Sequence, residues 1–411
     1  MPDLLNLYDI AQASGHQSIY VVPDRCVPVQ HRRSSCRRCI DFCPAEAIAY
    51  ENRTLKVSNA ACIGCGACAT VCPTEALIPL DTTEAVLRRD ALAAMSHNKG
   101  VACFACARVA ARENVRSEHY AEVPCLSRVN ESVMLELVAD GAERVLLVDG
   151  GCSNCKYRDC DEVTRVVEEN ARHLLEVQGS PVVVERVHAF PAGFEVKPQE
   201  KVGASRRAAF EDAGATTKGL LGRAAKILIK QEAAQSKASA AVIGMLGLDA
   251  DDPEPLAPRR QERLLDALFA IGEANGQELF LPDEGSGLGS AASQPGPGEA
   301  AASVETSPSG EGASPDEPEV PPVDCRYFGM VELDPLKCNR CGICAVVCKQ
   351  DALNRTDKKT ASGERAFLEF EPALCVQCNL CNEACFRKAI TVGSQVALRD
   401  LFSFEPLLIN A

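Results

Sequence analysis

Twenty-three cysteines in 411 residues are the chemistry-bearing side chains of this chain. The most regular of them are C-terminal: Cys338-x2-Cys341-x2-Cys344-x3-Cys348, then Cys375-x2-Cys378-x2-Cys381-x3-Cys385. Two-residue gaps let a tight loop wrap three irons of a cubane with thiolates. A fourth Cys three residues on starts a helix that leads across to a second cubane, so it ligates the other cluster of the pair. Zinc sites instead use two Cys pairs per ion. The spacing therefore predicts one [4Fe–4S] cluster on Cys338, Cys341, Cys344 and Cys385, and a second on Cys375, Cys378, Cys381 and Cys348.

The N-terminal unit repeats this pattern with one defect. Cys62-x2-Cys65-x2-Cys68-x3-Cys72 is complete, but Arg33 stands where a Cys should precede Cys36, Cys39 and Cys43. Cys26 lies ten residues before Cys36 and is expected to loop back as the replacement. One cluster then takes Cys26, Cys36, Cys39 and Cys72, and the other Cys62, Cys65, Cys68 and Cys43. The alternative is a [3Fe–4S] cluster on three thiols with Cys26 free. Arg25, Arg32, Arg33, Arg37 and Arg38 crowd this site. They would offset thiolate charge, form a docking face for an acidic partner, or simply be solvated.

A third group is less regular: Cys103-Phe-Ala-Cys106, Cys125, and Cys152-Ser-Asn-Cys155 with Cys160 beyond. These thiols suit a [2Fe–2S] cluster with spares, a redox dithiol, a zinc site, or small apolar residues in a core. Cys325 stands alone, and the six His show no ligand spacing.

The elements that must hold these groups follow from the sequence between them. Each four-Cys run ends in Cys, then Ala four residues on, then Ile or Leu: Cys43/Ala47/Ile48, Cys72/Ala76/Leu77, Cys348/Ala352/Leu353 and Cys385/Ala389/Ile390. This is a repeat of two tandem units, each of two halves, in which a short turn packs over a bulky group and leads into a strand. Around the third group, Val101–Phe104, Tyr120–Val123, Arg144–Val148 and Pro181–Glu185 read as strands. Asn130 caps a helix that Gly141 ends, and residues 161–177 carry a helical stripe. Alternating strands and helices predict a small α/β domain with a parallel sheet, with Cys152 and Cys155 at a strand's carboxyl end, where such folds bind ligands.

The C-terminal spacing is that of bacterial two-cluster ferredoxins. The middle segment, with Cys103-x2-Cys106, Pro124-Cys125-Leu-Ser-Arg128, Gly141-x2-Arg144-Val-Leu-Leu-Val148, Gly151-Cys152 and Cys155-Lys-Tyr157, resembles the iron–sulfur delta subunit of methyl-viologen-reducing hydrogenases. The resemblance implies one [2Fe–2S] centre drawn from Cys103, Cys106, Cys125, Cys152 and Cys155. It also implies partners of the hydrogenase, formate dehydrogenase or heterodisulfide-reductase flavoprotein kind. A Cys152–Cys155 gap shorter than usual, and the added Cys160, are departures from that family.

The expected fold is multidomain, α/β and α+β. Two ferredoxin-like two-cluster modules (20–82 and 324–411) flank the parallel α/β domain (97–190), with a helical segment (200–283) and a disordered Pro/Gly/Ser/acidic linker (284–323). The linker would let the second module swing as on a tether. A net charge of −14 argues against a general nucleic-acid binder. No run approaches the ~18 apolar residues of a membrane span, and no signal peptide is visible, so a cytoplasmic location is expected. No P-loop, nucleophile elbow or nicotinamide fingerprint appears, and no substrate site of its own is visible. The sequence thus reads as an electron-relay subunit of an oxidoreductase complex. A thiol–disulfide reductase using the middle cysteines and a zinc-stabilised scaffold are the alternatives.

Overall fold

The structure, a computed structural model, describes residues 18–80, 82–194, 259–277, 323–360, 363–403 and 405–410. The N-terminal unit is built of two short antiparallel ribbons. Strand β1 (Ile19–Val21) will pair with a strand far along the unit, while β2 (Ile48–Glu51) and β3 (Thr54–Val57) form a hairpin. Helix α1 (Ala67–Val71) follows, and β4 (Leu77–Pro79) returns to β1, closing the unit.

Helix α2 (Glu84–His97) leads into the middle domain, with Thr83 accepting from the Val86 amide at its start. The domain runs β5 (Val101–Cys106), β6 (Ala121–Val123), α3 (Glu131–Ala139), β7 (Arg144–Val148), α4 (Cys160–Val177) and β8 (Val183–Val187). The four strands form one parallel sheet in the order β6-β5-β7-β8. Asn130 caps α3, its side chain accepting from the Val133 amide at 3.1 Å. Alternation along the strands divides two cores. Ala102, Phe104, Val145, Leu147 and Val184 face α2, α3 and α4. Cys103, Ala105, Leu146 and Val148 face Val109, Val115, Tyr120 and Phe190.

Helix α5 (Arg260–Ala274) lies against α3, burying Leu264, Leu268 and Ile271 in the first of these cores. It is the described part of the segment expected to be helical; 200–258 and 278–283 lie outside the described residues, as does the linker up to 322.

The C-terminal unit repeats the N-terminal design. Strand β9 (Met330–Leu333) pairs with the distant β12, and α6 (Ile343–Val347) precedes β10 (Leu353–Arg355). Strand β11 (Leu368–Phe370), α7 (Leu380–Ala384), β12 (Ile390–Gly393) and β13 (Leu407–Ile409) complete it, with β10-β11-β13 as one antiparallel sheet. The unit is docked. Cys325, Phe328, Leu401 and Phe402 enter the core shared by α3, α4 and α5. The Tyr327 hydroxyl and the Arg326 Nε donate to buried Glu131 at 2.9 and 2.6 Å. In this structure the unit is seated on the middle domain.

Candidate metal centres

The three Cys-x2-Cys-x2-Cys loops share one backbone device. The residues on either side of the middle Cys have positive φ: Gly64 and Gly66, Arg340 and Gly342, Gln377 and Asn379. That pair of left-handed residues curls the loop so that three thiols face one space. The loop of Cys36 and Cys39 has no such residue from Ser34 to Arg38. This is the loop without its leading Cys, and its missing thiol comes from elsewhere.

After each run a second device recurs. Glu46, Glu75, Asp351 and Lys388 have φ between 48° and 55°. This turns the next amide back toward the fourth Cys: Ala47, Ala76 and Ala389 donate to the sulfurs of Cys43, Cys72 and Cys385 at 3.3, 3.3 and 3.4 Å. The Ala of the sequence repeat is buried in all four copies, and β2, β4, β10 and β12 begin at the aliphatic residue that follows.

Thiols of the outer units gather in buried groups. Burial pushes Cys39 up to about 12, and Cys72, Cys36 and Cys26 beside it add to the push. Burial likewise holds Cys26 up at about 11, with Cys72 and Cys36 as its thiol neighbours. These four line one small cavity. Cys68, raised by burial, has Cys65, Cys62 and Cys43 around it, and Cys39 of the first set within reach. In the C-terminal unit burial takes Cys375 to about 12, next to Cys378 and Cys348. Cys381 is raised by burial beside the same three. Cys344, at about 11 through burial, neighbours Cys338 and Cys341, and Cys385 lies in an apolar cluster that holds thiols of both runs.

Such sets fit an iron–sulfur cluster. Burial disfavours bare thiolates here, so deprotonation needs a cationic body among them, and the aimed amides supply hydrogen bonds to sulfur. Among the described residues no three thiols, imidazoles or carboxylates converge closely enough for a single ion.

In the middle domain Cys106 ends β5, Cys125 follows β6, and Cys152 and Cys155 follow β7, all at the carboxyl edge of the sheet. Cys106 has Cys125 and Cys155 beside it. Arg108 hydrogen-bonds Cys155, with Cys106 and Cys152 close by. Cys103 is elsewhere, fully buried in the apolar core on the far side of the strand, its thiol raised by burial alone. Cys160, at the start of α4, bridges domains: it hydrogen-bonds both Cys125 and Cys65, which raises its own pKa and lowers theirs, Cys125 to about 6. Cys325 is buried without a thiol neighbour among its electrostatic partners.

Sequence reasoning missed the support of Cys152. Arg186 Nη2 donates to its sulfur at 3.2 Å, while Arg186 Nε pairs with Asp149 at 2.7 Å. Asp149 accepts from the Gly151 amide at 2.8 Å and so fixes the turn that presents Cys152. Burial opposes its charge, but that amide, His188 and Arg186 hold the carboxyl below its ordinary range. The signal was present: an acid at a strand's end before Gly150-Gly151.

The two ferredoxin-type units meet directly. Arg33 Nη1 donates to the Ala384 carbonyl at 2.8 Å and Arg38 Nη2 to the Gln377 carbonyl at 3.2 Å. The Ser35 amide donates to Glu383 at 3.1 Å. The basic loop noted in the sequence thus has an internal docking partner. Across this joint Cys378 has Cys36 as a neighbour. Replacing Cys26 by Ala should cost about one iron per chain and give a three-iron EPR signal in the oxidised protein, whereas Cys103→Ala should leave the iron content unchanged. Full iron in the Cys26 variant would remove Cys26 from the ligand set.

Comparison with known proteins agrees with this layout. Residues 34–77 and 337–389 each match a family described as "4Fe-4S dicluster domain". Residues 92–193 match "Methyl-viologen-reducing hydrogenase, delta subunit". A ferredoxin of Streptomyces griseus is 38% identical over 64 residues, 16% of this chain and 56% of that protein. A ferredoxin of Mycolicibacterium smegmatis is 38% identical over 58 residues, 14% of this chain and 50% of that protein. The chain thus spans about half the length of the curated relatives it matches. No solved structure matches it comparably.

Proposed function

We propose that this chain, a hydrogenase delta-subunit domain between two dicluster domains, is the electron-relay subunit of an oxidoreductase complex of the hydrogenase, formate dehydrogenase or heterodisulfide-reductase type. The observation that carries the reading is the order of the thiol sets. The middle set meets the Cys62 set through Cys125, Cys160 and Cys65. The Cys62 set meets the Cys26 set through Cys68 and Cys39. The Cys26 set meets the Cys375 set through Cys36 and Cys378. The Cys338 set lies beyond, in the same unit as the Cys375 set. Neighbouring sets abut, and no set stands isolated.

Iron–sulfur clusters, when bound, take up and release single electrons at potentials set by charge, hydrogen bonds and exposure. The chain supplies the thiolates, the amides aimed at them, and cations such as Arg38 beside Cys36 and Arg186 on Cys152. We assign a [4Fe–4S] cluster to each of the four ferredoxin-type sets, and a two-iron centre to Cys106, Cys125, Cys152 and Cys155. Flavoprotein, hydrogenase or formate dehydrogenase subunits are the proposed partners, with the delta-subunit domain as the natural contact for one of them. No helix among the described residues is long and apolar enough to cross a membrane.

Iron and acid-labile sulfide per chain, measured on protein purified without oxygen, test this. Four cubanes and a two-iron centre give about 18 iron with matching sulfide. About 16 would leave the middle thiols metal-free and favour a thiol–disulfide role for them, to which the lowered Cys125 thiol is suited. Zinc without sulfide would end the electron-transfer reading.

A further inference from the structure

A cleft of about 570 Å³ has no thiol in its lining. It opens between β4, α2 and the start of α5, with Arg128 on its wall. Its lining holds seven arginines against Glu75, Glu84 and Glu136, in a chain whose net charge is −14. Leu77, Pro79 and Leu92 give it an apolar side. Part of the arginine set is structural: Arg260 and Arg263 pair with Glu84, and Arg88 with Glu136 and Asp140, while Arg89 pairs with Asp90 at the surface. Arg128 is different. Its side chain is 2% exposed, and its Nε and Nη2 donate to the Thr82 carbonyl at 3.2 and 3.0 Å. Its Nη1 makes a long ion pair with Glu84 Oε1, at 3.6 Å. A closer phosphate oxygen would strengthen what that guanidinium can make.

We propose that this cleft binds a nucleotide-sized organic anion, its phosphates held by Arg25, Arg89 and Arg128 and its body laid against Leu77, Pro79 and Leu92. The volume suits a ligand of that size rather than a bare inorganic ion, and guanidinium forks match phosphate oxygens. Arg128 also ties the cleft to the thiol sets. Its side chain packs over Gly66, so closely that a Cβ there would lie 2.2 Å from the Arg128 Cδ, and it has Cys68 as an electrostatic neighbour. Added negative charge at the Cys62 set and an anion on Arg128 therefore oppose each other, and the effect is reciprocal. The anion binds the oxidised protein more tightly than the reduced. The redox coupling rests on the electron-transfer reading; the binding itself does not.

The test is titration calorimetry of the full-length, cluster-loaded protein with ATP, with inorganic phosphate and adenosine as comparison probes. ATP should bind, adenosine should not, and phosphate should bind at least tenfold more weakly than ATP. The double variant Arg25→Ala, Arg89→Ala, which leaves the Glu84 pairs and every thiol in place, should weaken ATP at least tenfold with iron, sulfide and Tm unchanged. Dithionite reduction should weaken ATP binding to the parent protein. Absence of ATP binding, or binding unaffected by the double variant, overturns the site. Equal affinity for the oxidised and reduced forms overturns the coupling. Iron and sulfide content, measured on the same samples, keeps either failure separate from failure of the relay assignment.

Discussion

Stripping the iron with a chelator should unfold the two ferredoxin-type units and leave the middle domain standing. The reason lies in what remains of each core without metal. The buried cluster of the N-terminal unit is Ile19, Ile48, Leu55 and Leu77 plus two alanines and three cysteines. Four large aliphatic side chains, at about 1.5–3 kcal/mol each, cannot offset ordering that costs about 1–2 kcal/mol for every residue fixed. The thiols that fill the rest of that core have their charged forms penalised by burial, so without cations they contribute spacing but little cohesion. The middle domain differs. Its sheet is covered on one face by α2, α3 and α4, with α5 packed on α3, and Phe104, Met134, Leu135, Leu137 and Leu147 are all but inaccessible. Native-state hydrogen exchange on the apo protein should show protection lost across residues 20–80 and 330–395 and kept at the amides of β5 and β7. Retained protection in the outer units would mean that their chain folds without metal.

Glu84→Gln should destabilise the folded protein by about 3–5 kcal/mol, the usual cost of breaking a buried ionic network from one side. Glu84 is the only carboxylate paired with all three of Arg260, Arg263 and Arg128 among the described residues. Through them it joins α2 to α5 and to the segment after Cys125. Burial opposes its charge, but Arg260, Arg263 and Arg128 together hold the carboxyl well below the usual carboxylate range. The group is depressed in the folded state. Its contribution is therefore complete above the unfolded carboxylate pKa of about 4.3 and is lost as pH falls through the lower folded value. The gap between parent and variant should accordingly stay constant from pH 5 to pH 8. Denaturant unfolding of the loaded proteins, followed by the far-UV signal, reads it directly. A loss below about 1 kcal/mol would show that the arginines find other partners.

Much of this arrangement was legible in the residues. The Cys…Ala-Ile/Leu repeat encoded a turn, an amide aimed at sulfur and the start of a strand, and Cys26 does stand with Cys36, Cys39 and Cys72. The parallel sheet followed from the alternation of apolar runs with capped helices. Cys103 shows where spacing misleads. A Cys-x2-Cys pair on a strand places its thiols on opposite faces, because side chains alternate with period two; β5 runs through Cys106, so Cys103 faces away from the other thiols. The place of Cys160 was not readable, because its partners lie 35 and 95 positions away in sequence, at Cys125 and Cys65. The junction of the outer units was half readable: the arginines were visible, but their acceptors at Gln377 and Ala384 are backbone carbonyls, which no side-chain pattern advertises.

Of the 23 thiols, Cys341 alone is exposed; the rest are buried or partly so. Oxidants attack sulfur according to its thiolate character and its access. Peroxide or oxygen arriving from solvent should therefore strike the Cys338 set first, at the end of the series farthest from the delta-subunit domain. Damage there would disconnect the chain from whatever it serves at that end while leaving the inner centres whole. If the relay assignment holds, the order in which the centres bleach in air should run inward from Cys341.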